Sequence, residues 1–556
     1  MPLPPFDSLD ALPVADLIGV VRTLIGEVTR LGADNDKLSG ALAKLRIEHQ
    51  TVKDELARLK KLPPRPPRTP SGMDRATDQP GSGAGAPKGG RSMRRRGSHL
   101  DKLTITQTVD VKVDAPAGSR HKGYEEIVVQ DLVLSPVVTR YRRERWLTRE
   151  GETLIAPLDA GIVGGYGPNL HRLVLSLYFQ CHVSCEKILA MLNGMGVVIS
   201  KRQVVRLLAA KLETFRAEDA RVLHAGLSSA SYITVDDTGA RHQGKACVTT
   251  HIGSYSFTAF RTGPSKSRQE FLRRLCGSAV FYAINEAALV HMRSCGLSQA
   301  LIDKLAGHAA RLFHCHEDWM SHLNALGFGD LATNAKGVCA VKVTPNPVRV
   351  ASEAALWGAI REQGLLGEAV IVSDGAGQFR VGEHASCWVH AERLVYQLVP
   401  ANDIQRNAVE IARRMIWWFY RALKQYKLAP SPQKAQRLRA QFERIFNRAR
   451  TGYSSLDSLL RRLLRLKDDL LRVLDHPHIP LHTNASENDI RVFVTKRKIS
   501  GGTVSDNGRD ARDVMLGLAK TCAKLKISFF DYLGARLSIR GPPIPDLATL
   551  VRVAPS

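Results

Sequence analysis

Three acidic residues stand where carboxylates could do metal-assisted chemistry. The run Ser231-Tyr-Ile-Thr-Val-Asp236-Asp237 is β-branched and aromatic and then acidic, so it reads as a strand that delivers a carboxylate to its carboxyl end. Ala369-Val-Ile-Val-Ser-Asp374-Gly375 repeats the device, an apolar strand followed by an acid and a glycine turn. The third acid, Glu487, lies in Thr483-Asn-Ala-Ser-Glu-Asn-Asp-Ile-Arg491, where Asn484 or Ser486 can cap a helix. Divalent ions about 3.5–4 Å apart need hard carboxylate oxygens, and such a pair activates a nucleophile and stabilises the leaving oxygen of a phosphodiester. Strands also end in solvated Asp-Gly turns, so spacing alone leaves a structural reading of either aspartate open.

The elements that must position these groups follow from pattern. Lys245 to Ile252 and Tyr255 to Thr262 are strand-like and separated by Gly253-Ser254, so with the Asp236 strand they make a three-stranded antiparallel meander. Two strand-end aspartates and a helix-borne glutamate are what an RNase H-like nuclease core requires. At 556 residues several modules are expected. Lysine and arginine number 79 against 53 acids, a formal charge of +26, which points to nucleic acid through counterion release. No run approaches the roughly 18 apolar residues of a spanning helix, and Met1-Pro2-Leu3-Pro4 opens no signal pattern. The expectation is a cytoplasmic, nucleoid-associated protein with no membrane partner. Nine dispersed cysteines without a CxxC pair argue for reduced thiols.

Upstream, apolar residues recur with steps of four and three from Leu17 through Leu31, Leu38 and Leu45 to Leu59, with Asn35 and His49 on the seam. Residues 12–61 read as a coiled coil that would make a homo-oligomer. Residues 62–100, rich in proline and glycine and carrying Arg94-Arg95-Arg96, read as a disordered basic linker. Alternation at Leu103, Ile105, Val109, Val111 and Val113, and again from Ile127 to Leu134, predicts a small β-rich module over 101–160. Over 168–225 a helical pattern breaks at Asn193-Gly194-Met195-Gly196 and restarts after Ser200 as N-cap, a helix-turn-helix offering Lys201, Arg202, Gln203 and Arg206 to a major groove. Cys181 and Cys185 around His182 read as core residues.

The stretch from Thr483 to Leu533 closely resembles the C-terminal catalytic segment of insertion-sequence-66 family transposases, through Thr483-Asn-Ala-Ser-Glu-Asn-Asp-Ile-Arg, Lys496-Arg-Lys-Ile-Ser-Gly-Gly-Thr, Ser505-Asp-Asn-Gly-Arg and Phe530-Asp-Tyr-Leu. Val235-Asp236-Asp237-Thr238-Gly239 resembles the first aspartate motif of that family. Ser373-Asp374-Gly375 with Cys387-Trp388-Val389-His390-Ala391-Glu392-Arg393 resembles the second. The resemblance implies a DDE triad of Asp236, Asp374 and Glu487 holding two Mg2+ (or Mn2+) ions, with Asp237 in a supporting role. Many family members carry a cysteine-rich zinc segment, and no cysteine precedes Cys181 here, so zinc is not expected.

The resulting architecture is a multidomain α/β protein. An RNase H-like catalytic core (230–380 and 482–515, with an insertion over 264–367) and a helical insertion over 385–480 follow the coiled coil, basic linker, β-rich module and helix-turn-helix. A C-terminal helix and tail fill 516–556. The histidines and cysteines of the first insertion, from Cys276 to His322, are too irregularly spaced for a metal site and read as structural. The second insertion is basic and amphipathic, a surface that could hold DNA or simply face solvent. Arg393 approaches the scissile phosphate, and His390 does so too or is a buried, hydrogen-bonded histidine. Arg491, Lys496, Arg497, Lys498 and Arg509 follow Glu487 closely enough to line the cleft. The function expected is a transposase that cuts the ends of its element and joins them to target DNA, with accessory proteins of the element as further partner candidates. The competing expectation is a non-catalytic dimeric DNA-binding repressor or a decayed transposase.

Overall fold

In the computed structural model the chain divides into two compact units, residues 1–79 and 80–556. The structure describes Gly19, Gly26 and Arg30 of the first unit, all helical, and residues 104–554 of the second apart from 115, 117, 159–160, 278, 329–344 and 448–450. The rest of the heptad stretch and the whole 62–100 linker lie outside the described residues.

Of the β-rich module expected over 101–160, the described residues form one hairpin. The described residues of 104–144 form no strand, and only β1 (Arg145–Leu147) and β2 (Thr153–Ile155) pair, as an antiparallel hairpin. The alternating valines misled because period two specifies a strand only where one face is buried. Val109, Val111, Val113, Val129 and Val133 are all exposed.

Helix α1 (Pro168–Leu175) begins on proline and runs into a π-helical turn, Ser176–Gln180. Helices α2 (Cys185–Gly194) and α3 (Lys201–Ala209) follow, capped by Ser184 and by Ser200, whose Oγ accepts the Gln203 amide at 3.3 Å. The break expected at Asn193-Gly194-Met195-Gly196 is where α2 ends. Helix α4 (Leu212–Ser229) then leads into the sheet.

The sheet has five strands in the order β5-β4-β3-β8-β9. Strands β3 (Tyr232–His242), β4 (Lys245–Gly253) and β5 (Thr258–Gly263) form the expected meander, turned at Gln243-Gly244, both at positive φ as a tight two-residue hairpin requires. Strand β3 does not stop at its acids but continues six residues beyond Asp236. The segment from α5 (Arg268–Cys276) runs through β6 (Tyr282–Ala283), α6 (Glu286–Ser294), α7 (Gln299–Gly307), β7 (Leu312–Phe313), α8 (His316–Ala325) and α9 (Pro347–Glu362). Helix α9 is alanine-rich, capped by Asn346, and buried along nearly its whole length. Strands β8 (Val370–Ser373) and β9 (His384–Ser386) complete the sheet, both parallel to β3 or to each other.

After β9 come α10 (Trp388–Tyr396), the long α11 (Asp403–Leu428), α12 (Pro432–Phe446), α13 (Ser454–Arg465) and α14 (Lys467–Leu471). The chain ends with α15 (Asn484–Ser500), α16 (Asp506–Lys524), α17 (Phe529–Arg536) and α18 (Leu547–Val553). The expected tail is thus three helices bound into the body: Tyr532, Leu533 and Val551 are buried, and Arg536 pairs with the buried Glu218 of α4 at 2.8 Å.

Two apolar cores result. The principal one contains side chains from Val174 to Val551 and includes Leu272, Ile302, Trp319 and Leu356, so the 264–367 segment is built into the body. The 388–474 helices pack instead around Trp388, Phe419, Phe442 and Phe446. No helix among the described residues is long and apolar enough to cross a membrane.

Gly358 of α9 lies directly against the Ala283 carbonyl, which cannot retreat without breaking the β6–β7 pairing. Gly358→Ala should therefore lower stability by about 1–3 kcal/mol despite the gain in helix propensity. Urea unfolding followed by tryptophan fluorescence checks this, and an unchanged midpoint would refute it.

Candidate active site

Parallel pairing of β3 with β8 ends at Thr234 opposite Val372. Asp236 and Asp374 each follow by two residues, so both acids lie just past the end of the parallel pairing, Asp236 within β3 and Asp374 in the turn after β8. Successive side chains on β3 alternate faces. Helix α15 packs on the Asp236 face, where Arg497 donates to Thr238 Oγ1 at 3.4 Å and Glu487 occupies the first turn. Burial, offset in part by the Asp237 amide that binds Asp236 Oδ1 at 2.7 Å, pushes the Asp236 carboxyl up to about 6, with Asp374 and Glu487 adding to the rise and His390 opposing it. The three expected acids therefore share one electrostatic site.

His390 and Arg393 come from α10, one turn apart. Glu487 Oε1 lies 3.6 Å from His390 Nε2 and 3.8 Å from an Arg393 guanidinium nitrogen, and that oxygen is buried without a hydrogen-bond partner among the described residues. Burial pulls His390 down, but the Cys387 sulfur and the Glu487 carboxylate outweigh it and push the imidazole up to about 9. Glu487 thus faces an imidazole whose protonated form is favoured beside the acids.

Asp237 faces the other way. It accepts from the Thr250 hydroxyl, which in turn accepts from Arg274, and from Gln378 Nε2 at 3.0 Å. Gln378 belongs to the turn after Asp374, and Arg268 donates to Gly377 O in that turn at 2.7 Å. Asp237 thus ties β3 to the loop that carries Asp374.

Asp489 carries no signal in the sequence. It is 4% exposed, two residues beyond Glu487, and accepts from Thr258 Oγ1 at 2.7 Å and His251 Nε2 at 3.1 Å while pairing with Lys524 at 2.7 Å and Lys520 at 3.2 Å. His251 is the register partner of Asp236. Burial lowers the His251 pKa, so its ring is a neutral imidazole donating through Nε2. Only a contact map links residues this far apart in the chain.

The carboxylate set is of the chemistry that suits Mg2+ or Mn2+, with Glu487 Oε1 buried without a hydrogen-bond partner among the described residues and Asp374 and Glu487 both raising Asp236. Asp374 Oδ1 is meanwhile turned onto its own loop, accepting the Ala376 amide at 2.9 Å. Among the described residues no three His, Cys, Asp or Glu side chains stand close enough together to hold a metal as they are. Among the described histidines and cysteines of the 264–367 segment, His322 packs edge-on to His308 and His316 hydrogen-bonds Tyr282 at 2.9 Å.

Residues 359–511 match the family described as Transposase IS66 family, a span that holds Asp374, His390, Arg393 and Glu487. The chain is 53% identical over 330 residues to "Uncharacterized protein y4jO" of Sinorhizobium fredii (strain NBRC 101917 / NGR234), covering 59% of this chain and 99% of that protein. The chain belongs to the IS66 transposase family. DNA is accordingly its partner, and the basic residues can be judged against that.

In this IS66-family protein Arg497 lines the Asp236 face, Lys498 and Arg491 are exposed on α15, and Arg491 is held by Asn488 at 3.1 Å. Arg509 is engaged by Asp506 and Asp510, each at 2.8 Å. Lys201, Arg202 and Arg206 share the exposed face of α3, apart from the acids, with Lys201 paired to Glu186 at 2.6 Å. Lys496 is a correction. It is 1% exposed, donates to the Tyr178 carbonyl at 2.8 Å, and sits 3.1 Å over the Tyr178 ring, so it cannot line a DNA cleft. Helical periodicity puts it on the packed side of α15, which its place in a basic run concealed.

Asp489→Asn should cost about 3–5 kcal/mol in denaturant unfolding, because two ammonium groups lose their counter-charge in a buried setting. A loss under about 1 kcal/mol would show the cluster to be solvated. Burial pushes Lys496 down to about 7 from 10.5. The unfolded chain therefore binds a proton that the folded one refuses, and stability falls as pH drops from about 10.5 through about 7. Lys496→Met should flatten that slope and leave DNA affinity unchanged. Weakened DNA binding in a folded Lys496→Met protein would restore Lys496 to the cleft.

Proposed function

We propose that this IS66-family transposase cleaves DNA at the ends of its element and transfers the freed strand to a target, using Asp236, Asp374 and Glu487 in an RNase H-like core. The observation that carries the reading is the convergence of these acids, two just past the end of the parallel β3–β8 pairing and one on the helix packed over them. A meander whose first strand is continued sideways by two parallel strands supports the RNase H-like assignment.

Asp236, Asp374 and Glu487 would hold two Mg2+ or Mn2+ ions, which when bound supply Lewis-acid activation of the attacking oxygen and stabilisation of the leaving one. The chain's own residues do the rest. His390 and Arg393 offset the Glu487 charge and present two cations at the edge of the acid site, where a scissile phosphate is polarised and held for in-line displacement. Asp237, Gln378 and Arg268 keep the Asp374 turn in place. Arg497, Lys498 and Arg491 continue the positive surface along α15 and would position the backbone on either side of the cut. The α2–α3 pair would read sequence, with Lys201, Arg202 and Arg206 toward the groove. The segment over 12–61, whose heptad pattern reads as a coiled coil, would pair protomers on two ends.

Asp236→Asn, Asp374→Asn and Glu487→Gln should each abolish Mg2+-dependent nicking of a labelled duplex carrying the element end, with the circular dichroism spectrum and end binding retained. Asp237→Asn should slow nicking without abolishing it. Undiminished cleavage in any of the first three variants removes that residue from the active site.

A further inference from the structure

Helix α11 turns two kinds of face outward. Its inner side, from Val409 through Ile416 and Phe419 to Leu423, is buried in the Trp388 core. On the opposite side the exposed residues recur with steps of four and three: Ile411, Arg414, Trp418 and Arg421, reaching Leu428. Trp418 is 49% exposed, an unusual setting for an indole on a helix that already has its core. Among the described residues neither Arg414 nor Arg421 makes an ion pair or a side-chain hydrogen bond, although Glu410 lies one turn before Arg414. Their neighbour Arg413 is by contrast committed inward, to the buried Glu392 at 2.7 Å and over the Tyr396 ring.

We propose that this outer face of α11 is a docking surface for an unpaired stretch of DNA strand, an inference that rests on the transposase reading above. Seven residues separate the two arginines, about 10.5 Å along the helix axis. Two guanidinium groups at this spacing take phosphates, and the indole between them offers a flat surface on which a base can stack. Bases inside a duplex already stack on one another and present only edges in the grooves, so Trp418 contributes against an unpaired base and not against intact duplex. Ile411 and Leu428 extend the apolar line on which sugars and bases can lie. The same stripe suits a second copy of the chain less well. Paired in parallel, the helices would set Arg414 and Arg421 of both copies side by side, and paired antiparallel the one acid of each stripe, Glu410, would face two arginines.

The test uses the full chain, with fluorescence anisotropy on a labelled oligothymidylate and on a blunt mixed-sequence duplex over a range of salt. For Arg414→Gln/Arg421→Gln the slope of log affinity against log salt on oligothymidylate should flatten by about 1.4, two phosphate contacts at about 0.7 each. Trp418→Ala should weaken oligothymidylate binding about tenfold and leave the duplex unaffected, and Trp418→Phe should retain the affinity. These side chains are exposed, so the circular dichroism spectrum should not change. If the wild-type chain binds both probes and all variants match it in affinity and slope, the α11 proposal fails while the DNA reading stands. If the wild-type chain binds neither probe, both fail. A fall in mass by light scattering for Trp418→Ala, with oligothymidylate binding intact, would assign the face to a second copy and overturn the proposal.

Discussion

A single buried carboxylate sets the position of everything around the acids. Asp489 has no solvent to ionise into, so it is tolerable only because His251, Thr258, Lys520 and Lys524 converge on it. Those four groups belong to β4, β5 and α16, and the carboxylate belongs to α15. Ridge packing alone would let α15 slide or rotate by a fraction of a turn at small cost. A charge with four fixed partners does not, because any displacement strands it in a low-dielectric interior. Glu487, half a turn earlier on the same helix, inherits that precision.

The sheet supplies the complementary half of the geometry. Parallel strands leave their carboxyl ends on one edge, and the register of β3 with β8 makes Asp236 and Asp374 lateral neighbours there. Antiparallel pairing on the other side of β3 continues past the acids to His242, so Asp236 is anchored within a ladder and not at a frayed end. Alternation then divides the labour between adjacent aspartates, Asp236 toward α15 and Asp237 toward the Asp374 turn. The end of α15 is bound into the same frame. Gly501 takes positive φ, and Gly502 passes so close to the Arg241 carbonyl that a Cβ would lie 2.8 Å from it, which lets Thr503 pair beside His242.

What the sequence made legible was local. The meander, the strand before Asp374, the Ser200 cap and the acids were all written in short windows, since strand composition, capping hydroxyls and turn residues act over a few positions. The failures share a different origin. The valine alternation at 109–113 has a strand's pattern without a buried face to fix it. Lys496 lies in a basic run yet points inward, because helical phase and not charge decides which side faces water. Asp489 and His251 are distant in the chain, and no local pattern marks two polar residues that will be buried together. The 264–367 segment read as an insert because of its length, but the Leu366 amide donates to the Leu227 carbonyl of α4 at 2.8 Å and Phe271 packs edge-on to Phe379 at 5.0 Å, which joins it to the core.

The separation of the two apolar cores has a mechanical consequence. The 388–474 helices meet the body at Trp388, whose amide donates to the Leu481 carbonyl at 3.0 Å, and again at α14 and the turn after it, where Asp469 pairs with Arg380 at 2.6 Å and His384 of β9 at 3.2 Å and Arg472 pairs with Glu383 at 2.8 Å. The same helix α10 carries His390 and Arg393 to Glu487. A load on the outer helices is therefore shared between α10, the element that carries His390 and Arg393, and the contacts of α14 with β9. Elsewhere the site is held by the principal core, through α15, β3 and β8. The acids are thus held by the principal core, whereas the two basic groups beside Glu487 stand on a helix rooted in the second core.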